Sequence, residues 1–253
     1  MYTVLASRSI NSASKIRTRR GQRRSDPAPH DASSPDAAAR AISERVLSGR
    51  YVPGQRLIEG DLSRDFKVGR GTVREALKRL AAERVVELIP HRGASVRSLT
   101  KTETLELQDV VLALYSYAVS LAASRINEGD KRKRLTAAYQ KLVAGGPQSD
   151  RIHHALDRSS LHDVIFSICG NRELARANPT VLIQILRIQI HPFLTVHDLN
   201  ALYSDYQLLY AALVRGDAPK ARRAIEQHIR RRRRQIEKLP PEAFAPETER
   251  RLA

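Results

Sequence analysis

The sequence has 253 residues, enough for one large domain or two modest ones with packed cores. Its 44 lysines and arginines against 27 acids give a formal charge of +17, and a single cysteine, Cys169, excludes an internal disulfide framework and a thiolate zinc cluster. No apolar run reaches the roughly 18 residues that a membrane-spanning helix needs, so the expectation is a cytoplasmic protein with no membrane partner.

The charge is uneven. Residues 1–35 carry a net +5 and 36–98 another +5, whereas the much longer stretch 99–228 carries +3 and 229–253 carries +4. A polyanion partner is therefore expected for the first third and a different task for the remainder. Residues 1–35 read as a disordered basic arm: seven cations precede the first acid, Asp26, and Pro27, Pro29 and Pro35 follow. A transit peptide has the same Arg- and Ser-rich character.

From Asp36 the spacing predicts a helix with Ala38, Ile42, Val46 and Leu47 on one face, stopped at Gly49. "YVPGQRL" (51–57) is a Pro-Gly turn leading into an extended stretch. A short helix from Glu59 to Asp65 follows, then a break over Val68–Gly71, then a helix from Thr72 to Glu83 with Val73, Ala76, Leu77 and Leu80 inward. Two β-like runs, 85–89 and 94–99, flank the turn Pro90-His91-Arg92-Gly93. Helix, helix, turn, helix and hairpin is the order of a winged helix-turn-helix over 36–99.

From Lys101 to about Lys238 only helical signals appear, so the fold class is mainly α: a winged helix-turn-helix followed by an all-α bundle over 100–238. Helices are expected from about Leu105 to Asn127, over 135–143 and 152–169, once or twice within 172–196, over 203–214, and from Pro219 through Arg234. Residues 239–253 read as a flexible tail.

The helix near Arg70 presents Arg70, Thr72 and Arg74 at its N-terminal end, where a recognition helix meets base edges and phosphates. Arginine bonds guanine bidentately, and Thr72 can take a phosphate at the helix start. Arg92 and Gly93 form a wing tip that can reach the adjacent groove. A solvated basic face with an ordinary hairpin is the alternative.

The segment "LIEGDLSRDFKVGRGTVREALKRLAAERVVELIPHRGASV" resembles the winged helix-turn-helix of GntR-family transcription regulators. It keeps Val68, Arg70, Val73, Arg74, Glu75, Ala76, Leu77, Arg79, Leu80, Arg92 and Gly93 of the family pattern. It departs at Gly69, at Thr72 and at Arg84, where glycine is usual, and Gly60 stands where FadR-type members carry a further arginine. The resemblance assigns DNA contacts to Arg70, Thr72, Arg74, Arg92 and Gly93.

The helical region is similar to the FCD domain of the FadR type. "RSSLHDVIFSICGN" (158–171) and "DYQLLYAALVRGDAPKARRAIEQHI" (205–229) carry that likeness. Many such domains hold a divalent metal through one Asp and three His. Here only His162 and His228 remain, with Arg158 in place of the Asp and Tyr206 in place of a His. Asp157 is one residue off, about 100° around a helix, and a cation repels a metal directly. No cofactor is therefore expected, a metal on His162 and His228 being the weaker alternative.

In its place the resemblance implies a cationic effector pocket of Arg158, His162, Tyr206 and His228, with Arg187 as a second carboxylate partner. Val111 and Tyr115 make the far end apolar, which suits an effector with an apolar body and one acidic group. Each of His228, Tyr206 and Arg187 has an ordinary reading too: a half-buried core group for the first two, a solvent-facing cation for the third. His153, His154, His191 and His197 read as surface or loop residues, and the run Arg230–Arg234 as a solvated helix end favoured by the macrodipole. The expected protein is a homodimeric, effector-responsive regulator, a repressor by family habit, on an inverted-repeat operator in double-stranded DNA. The alternatives are a non-specific DNA-packaging protein and an enzyme using His162 and His228 as acid and base.

Overall fold

The structure, a computed structural model, describes residues 34–89, 93–146 and 151–247, with the side chains of 151–155 left out. The expected basic arm up to residue 33, the wing tip with Arg92 and the last six residues lie outside the described residues, as do the side chains of His153 and His154. Everything below concerns the unit that begins at Asp31.

Helix α1 (Pro35–Leu47) starts where Ser34 accepts the Ala37 N–H and Pro35 fills the first turn, and it buries Ala38, Ala39, Ile42 and Val46. Strand β1 (Arg56–Leu57) follows the Pro53-Gly54 turn, and α2 (Glu59–Phe66) buries Leu62. The expected break at 68–71 is shifted. Lys67 takes the left-handed turn at φ 55°, and α3 (Arg70–Ala82) already begins at Arg70 with Gly69 as an extended cap. Helix α3 buries Val73, Ala76, Leu77 and Leu80. Strands β2 (Val86–Ile89) and β3 (Gly93–Val96) complete an antiparallel sheet of order β1-β3-β2, with Leu57 opposite Ala94 and Val86 opposite Val96.

Arg84 closes α3 into β2 at φ 61°, in the left-handed region that costs a side chain about 1–2 kcal/mol. It also adds to the positive field at half-buried Arg97. Arg84→Gly is expected to raise stability by about 0.5–1 kcal/mol after the added chain entropy of glycine, read as a higher Tm in thermal unfolding.

The second core belongs to the helical bundle. Helix α4 (Lys101–Ser124) opens on a capping box between Thr100 and Glu103 and packs against α10 (Ala218–Glu237) along its length. Around them lie α5 (Lys131–Gly145), α6 (Arg151–Cys169), α7 (Arg172–Ala177), α8 (Thr180–Ile190) and α9 (Val196–Val214). Contrary to the sequence reading, α4 is long and apolar enough to cross a bilayer by length and composition. Half of that window is buried inside the protein, which fits the central helix of the bundle. Helix α9 begins seven residues earlier than expected, because Thr195 and Asp198 form a second capping box and Leu199 and Leu202 turn inward.

The tail is not free through residue 247. The Ala245 N–H bonds the Leu99 carbonyl at 3.0 Å, Ala243 is buried, and the Thr102 N–H reaches the Glu247 carboxylate. One proline pair and scattered polar residues give the segment the look of a frayed end, whereas its backbone docks on the linker between the two cores.

Helix α8 joins both cores. Ile185 is fully buried in the core of the winged domain, with Val181 packed beside it, while Leu182, Ile183, Leu186 and Ile190 belong to the bundle. The Gln184 amide donates to the Leu47 carbonyl at the end of α1, and Gln189 clamps the Leu99 backbone from both sides at 2.8 Å.

Candidate functional site

The DNA-facing candidates sit on the outer face of α3. Arg70 and Arg74 are exposed and Thr72 is half-buried. Arg74 donates from Nε to the Glu59 carboxylate at 2.8 Å, which leaves both terminal nitrogens of its fork outward. Lys78 pairs with Glu75, and Arg79 with Asp36 and Glu83. Among the described residues Arg70 carries no ion pair. A Cβ added at Gly69 or Gly71 would meet nothing within 4 Å, so the helix start is open to a close partner, and one at Gly60 would lie 3.9 Å from Arg70 Nη2. Gly93 turns the wing at φ 83°, where glycine avoids the penalty of a side chain. Arg92 itself lies outside the described residues.

The effector candidates converge inside the bundle. Arg158, His162, Arg187, Tyr206 and His228 are all buried, from α6, α8, α9 and α10. Arg158 Nε donates to the Tyr206 hydroxyl at 3.2 Å, and that oxygen lies 2.8 Å from His162 Nε2. His228 Nδ1 meets Asp205 at 3.1 Å, and Arg231 covers the other oxygen of that carboxylate. Tyr115 packs its ring 4.7 Å from His162, and it lines the cavity with Val111 as the sequence suggested. Arg187 is therefore not a solvent-facing cation, nor are Tyr206 and His228 half-exposed. His191 and His197 lie away from the cavity.

Burial sets the chemistry. His162 is held well below the usual imidazole value by desolvation and by Arg187 and Arg158. His228 is pushed down to about 4 by burial and by Arg158 and Arg232, against the pull of Asp205. Both rings are neutral at pH 7. A neutral His162 can accept the Tyr206 hydroxyl proton while that oxygen accepts from Arg158, which puts the ring proton on Nδ1 as a donor. That atom is buried without a partner, as is Arg187 Nε. Tyr115 is pushed up to about 12 by burial.

The depressed histidines make a stability prediction with a definite sign. His228 titrates at 6.5 when unfolded and at about 4 when folded, so its contribution is present above pH 6.5 and is lost as pH falls from 6.5 to 4. The loss is about 3 kcal/mol at most. Tm measured from pH 7.5 to 4.5 should fall, and His228→Gln should flatten the slope.

Sequence reasoning missed Arg232 and Gln108. Both line the cavity, and Arg232 was assigned to a solvated cation run. Helix α10 buries Ala221, Ile225, His228, Ile229, Arg232 and Ile236, so Arg232 sits one turn after His228 on the inward face. That four-residue spacing was the available signal. Arg233, from the same run, pairs with Asp109 instead of facing solvent alone.

These residues do not fit a divalent metal. Among the described residues no group of three His, Cys, Asp or Glu converges, His162 Nε2 is engaged by Tyr206, and guanidiniums stand in the cavity wall.

A winged helix-turn-helix seated on a helical domain is the architecture of a two-domain DNA-binding protein. Residues 35–96 match the family described as bacterial regulatory proteins of the gntR type, and residues 106–231 match the FCD domain. The chain belongs to the GntR family, in its FCD branch, and is a DNA-binding transcriptional regulator. It is 26% identical to the HTH-type transcriptional repressor GlaR of Escherichia coli K12 over 75% of this chain and 90% of that one. It is 31% identical to a gluconate operon transcriptional repressor of Bacillus licheniformis over 50% and 55%. A crystal structure of a GntR transcriptional regulator from Rhodococcus sp. RHA1 superposes with a TM-score of 0.68 at 21% identity, over 80% of this chain and 97% of that one.

Proposed function

We propose that this protein is a cytoplasmic repressor that binds an inverted-repeat operator as a homodimer and releases it when an acidic organic effector enters the bundle cavity. Arg70, Thr72 and Arg74 read one half-site and Arg92 and Gly93 reach the neighbouring groove. Arg158, His162, Arg187, Tyr206 and His228 receive the effector.

The observation that carries this reading is the double role of α8. Its Arg187 lines the cavity and donates to Ser159 Oγ at 2.7 Å. Ser159 donates to Gln184 Oε1 at 2.7 Å, and Gln184 donates to the Leu47 carbonyl of the winged domain at 3.2 Å. A ligand that draws Arg187 into the cavity pulls on that chain, and a shift follows only if the two arrangements bind ligand unequally. Dimerisation is supported by the outward face of α4, where Val110 and Tyr117 are 50% and 55% exposed, two turns apart, with Leu114 half-buried between them.

The test is a footprint on the upstream DNA of its own gene with excess competitor DNA, then on DNA selected from a random pool. A protected inverted repeat that a small acid releases is the expected result. Protection that competitor removes evenly would favour the packaging reading. An enzyme using His162 and His228 draws no support from two neutral rings walled by guanidiniums.

A further inference from the structure

We propose that the bundle cavity takes a compact dianion, a short dicarboxylate or a phosphate, gripped by Arg158, Arg187 and Arg232 without a metal. The proposal rests on reading this cavity as the effector site, and it goes beyond an effector with one acidic group.

Three guanidiniums from α6, α8 and α10 line one cavity, each no more than 7% exposed. None of the lining residues is acidic. Among the described residues none of the three arginines has an ion pair. Arg158 donates to Tyr206, Arg187 to Ser159 and Arg232 to Gln235, all neutral oxygens. The acids nearby act on them only from outside the cavity: Asp205 pairs with His228 and Arg231, Asp198 caps at Thr195 while attracting Arg232, and Asp163 on α6 attracts Arg187. Burial and mutual repulsion push Arg187 down to about 10 and Arg232 to about 9.

Cations buried together without an ion pair are held at a cost that an anion in their midst lowers. A single carboxylate cannot neutralise three guanidiniums, whereas two negative charges can take two forks and share the third. His162 Nδ1–H and the unpartnered Arg187 Nε add donors to the same space. The free volume is small, ≈ 40 Å³, so the ligand is compact.

The experiment uses the full-length protein, stripped with EDTA, in thermal unfolding at constant ionic strength. Malonate, succinate and inorganic phosphate are compared with acetate and butyrate. A dianion near 100 times its Kd should raise Tm by about 5–10 °C, with acetate and butyrate inert. Malonate or succinate alone marks a dicarboxylate site, phosphate alone a phosphoryl site. Arg232→Met should raise the ligand-free Tm and abolish the dianion shift, and Arg187→Met should do the same. Equal stabilisation by acetate or butyrate, a response that needs added divalent metal, or a dianion shift retained in both variants would overturn the proposal. So would loss of folding in both, which would make these cations structural. Operator binding is measured on the same preparation. A protein that binds its inverted repeat but ignores every dianion sinks this ligand class and leaves the regulator reading. One stabilised by a dianion but without a specific DNA site does the reverse.

Discussion

Arg74→Ala is expected to lower affinity for the specific operator by about 5- to 150-fold, the range of one lost bidentate base contact, with non-specific DNA affected far less. Arg74 is exposed and, among the described residues, ion-pairs with Glu59 alone, a surface pair worth at most about 1 kcal/mol, so Tm should barely move. The two readouts together separate a reading contact from a structural one. Unchanged operator affinity in a titration at fixed salt would remove Arg74 from the recognition surface, whereas a phosphate-only role would weaken all sequences alike and reduce the salt slope by about one.

Ser159→Ala is the second large effect. It removes the oxygen that accepts from Arg187 and donates to Gln184, while the cavity and the operator surface keep their own groups. Coupling between two sites usually amounts to about 1–3 kcal/mol, or about 5- to 150-fold in affinity. The variant should bind operator and effector nearly as before, yet its operator affinity should change by less than about twofold on adding effector. Gel-shift titrations with and without the effector read this directly. A full effector response would rule out the hydrogen-bond chain and move the coupling to the Ile185 packing against the winged domain.

Much of this was legible because it is local. The inward residues of α3 recur at helical spacing, and the Pro53-Gly54 and Gly216-Asp217 turns punctuate their helices as such residues do. Cavity residues Arg158, His162, Tyr206 and His228 could be named from two short blocks only because those blocks resemble the FCD domain. Arg84, flagged as standing where glycine is usual, does adopt a left-handed turn. Three features escaped. The start of α9 was hidden because Thr195 and Asp198 cap a turn whose apolar residues are sparse. The tail was misread because its docking depends on the Leu99 backbone, far away in sequence. Arg232 vanished into a basic run whose five members look alike and face different surroundings.

The sequence by itself determined the order of elements, the recognition helix and the replacement of an acid and a histidine by Arg158 and Tyr206. The first two follow from residue type and short-range periodicity, and the third from the resemblance to the FCD domain. Only the tertiary structure decided that three arginines bury their charges in one cavity, and that α8 is the wall between cavity and DNA-binding domain. Desolvation and hydrogen bonding depend on what the rest of the chain brings alongside. Arg187 and Ile185, two residues apart, fall on opposite sides of that wall only once both cores have closed around the helix.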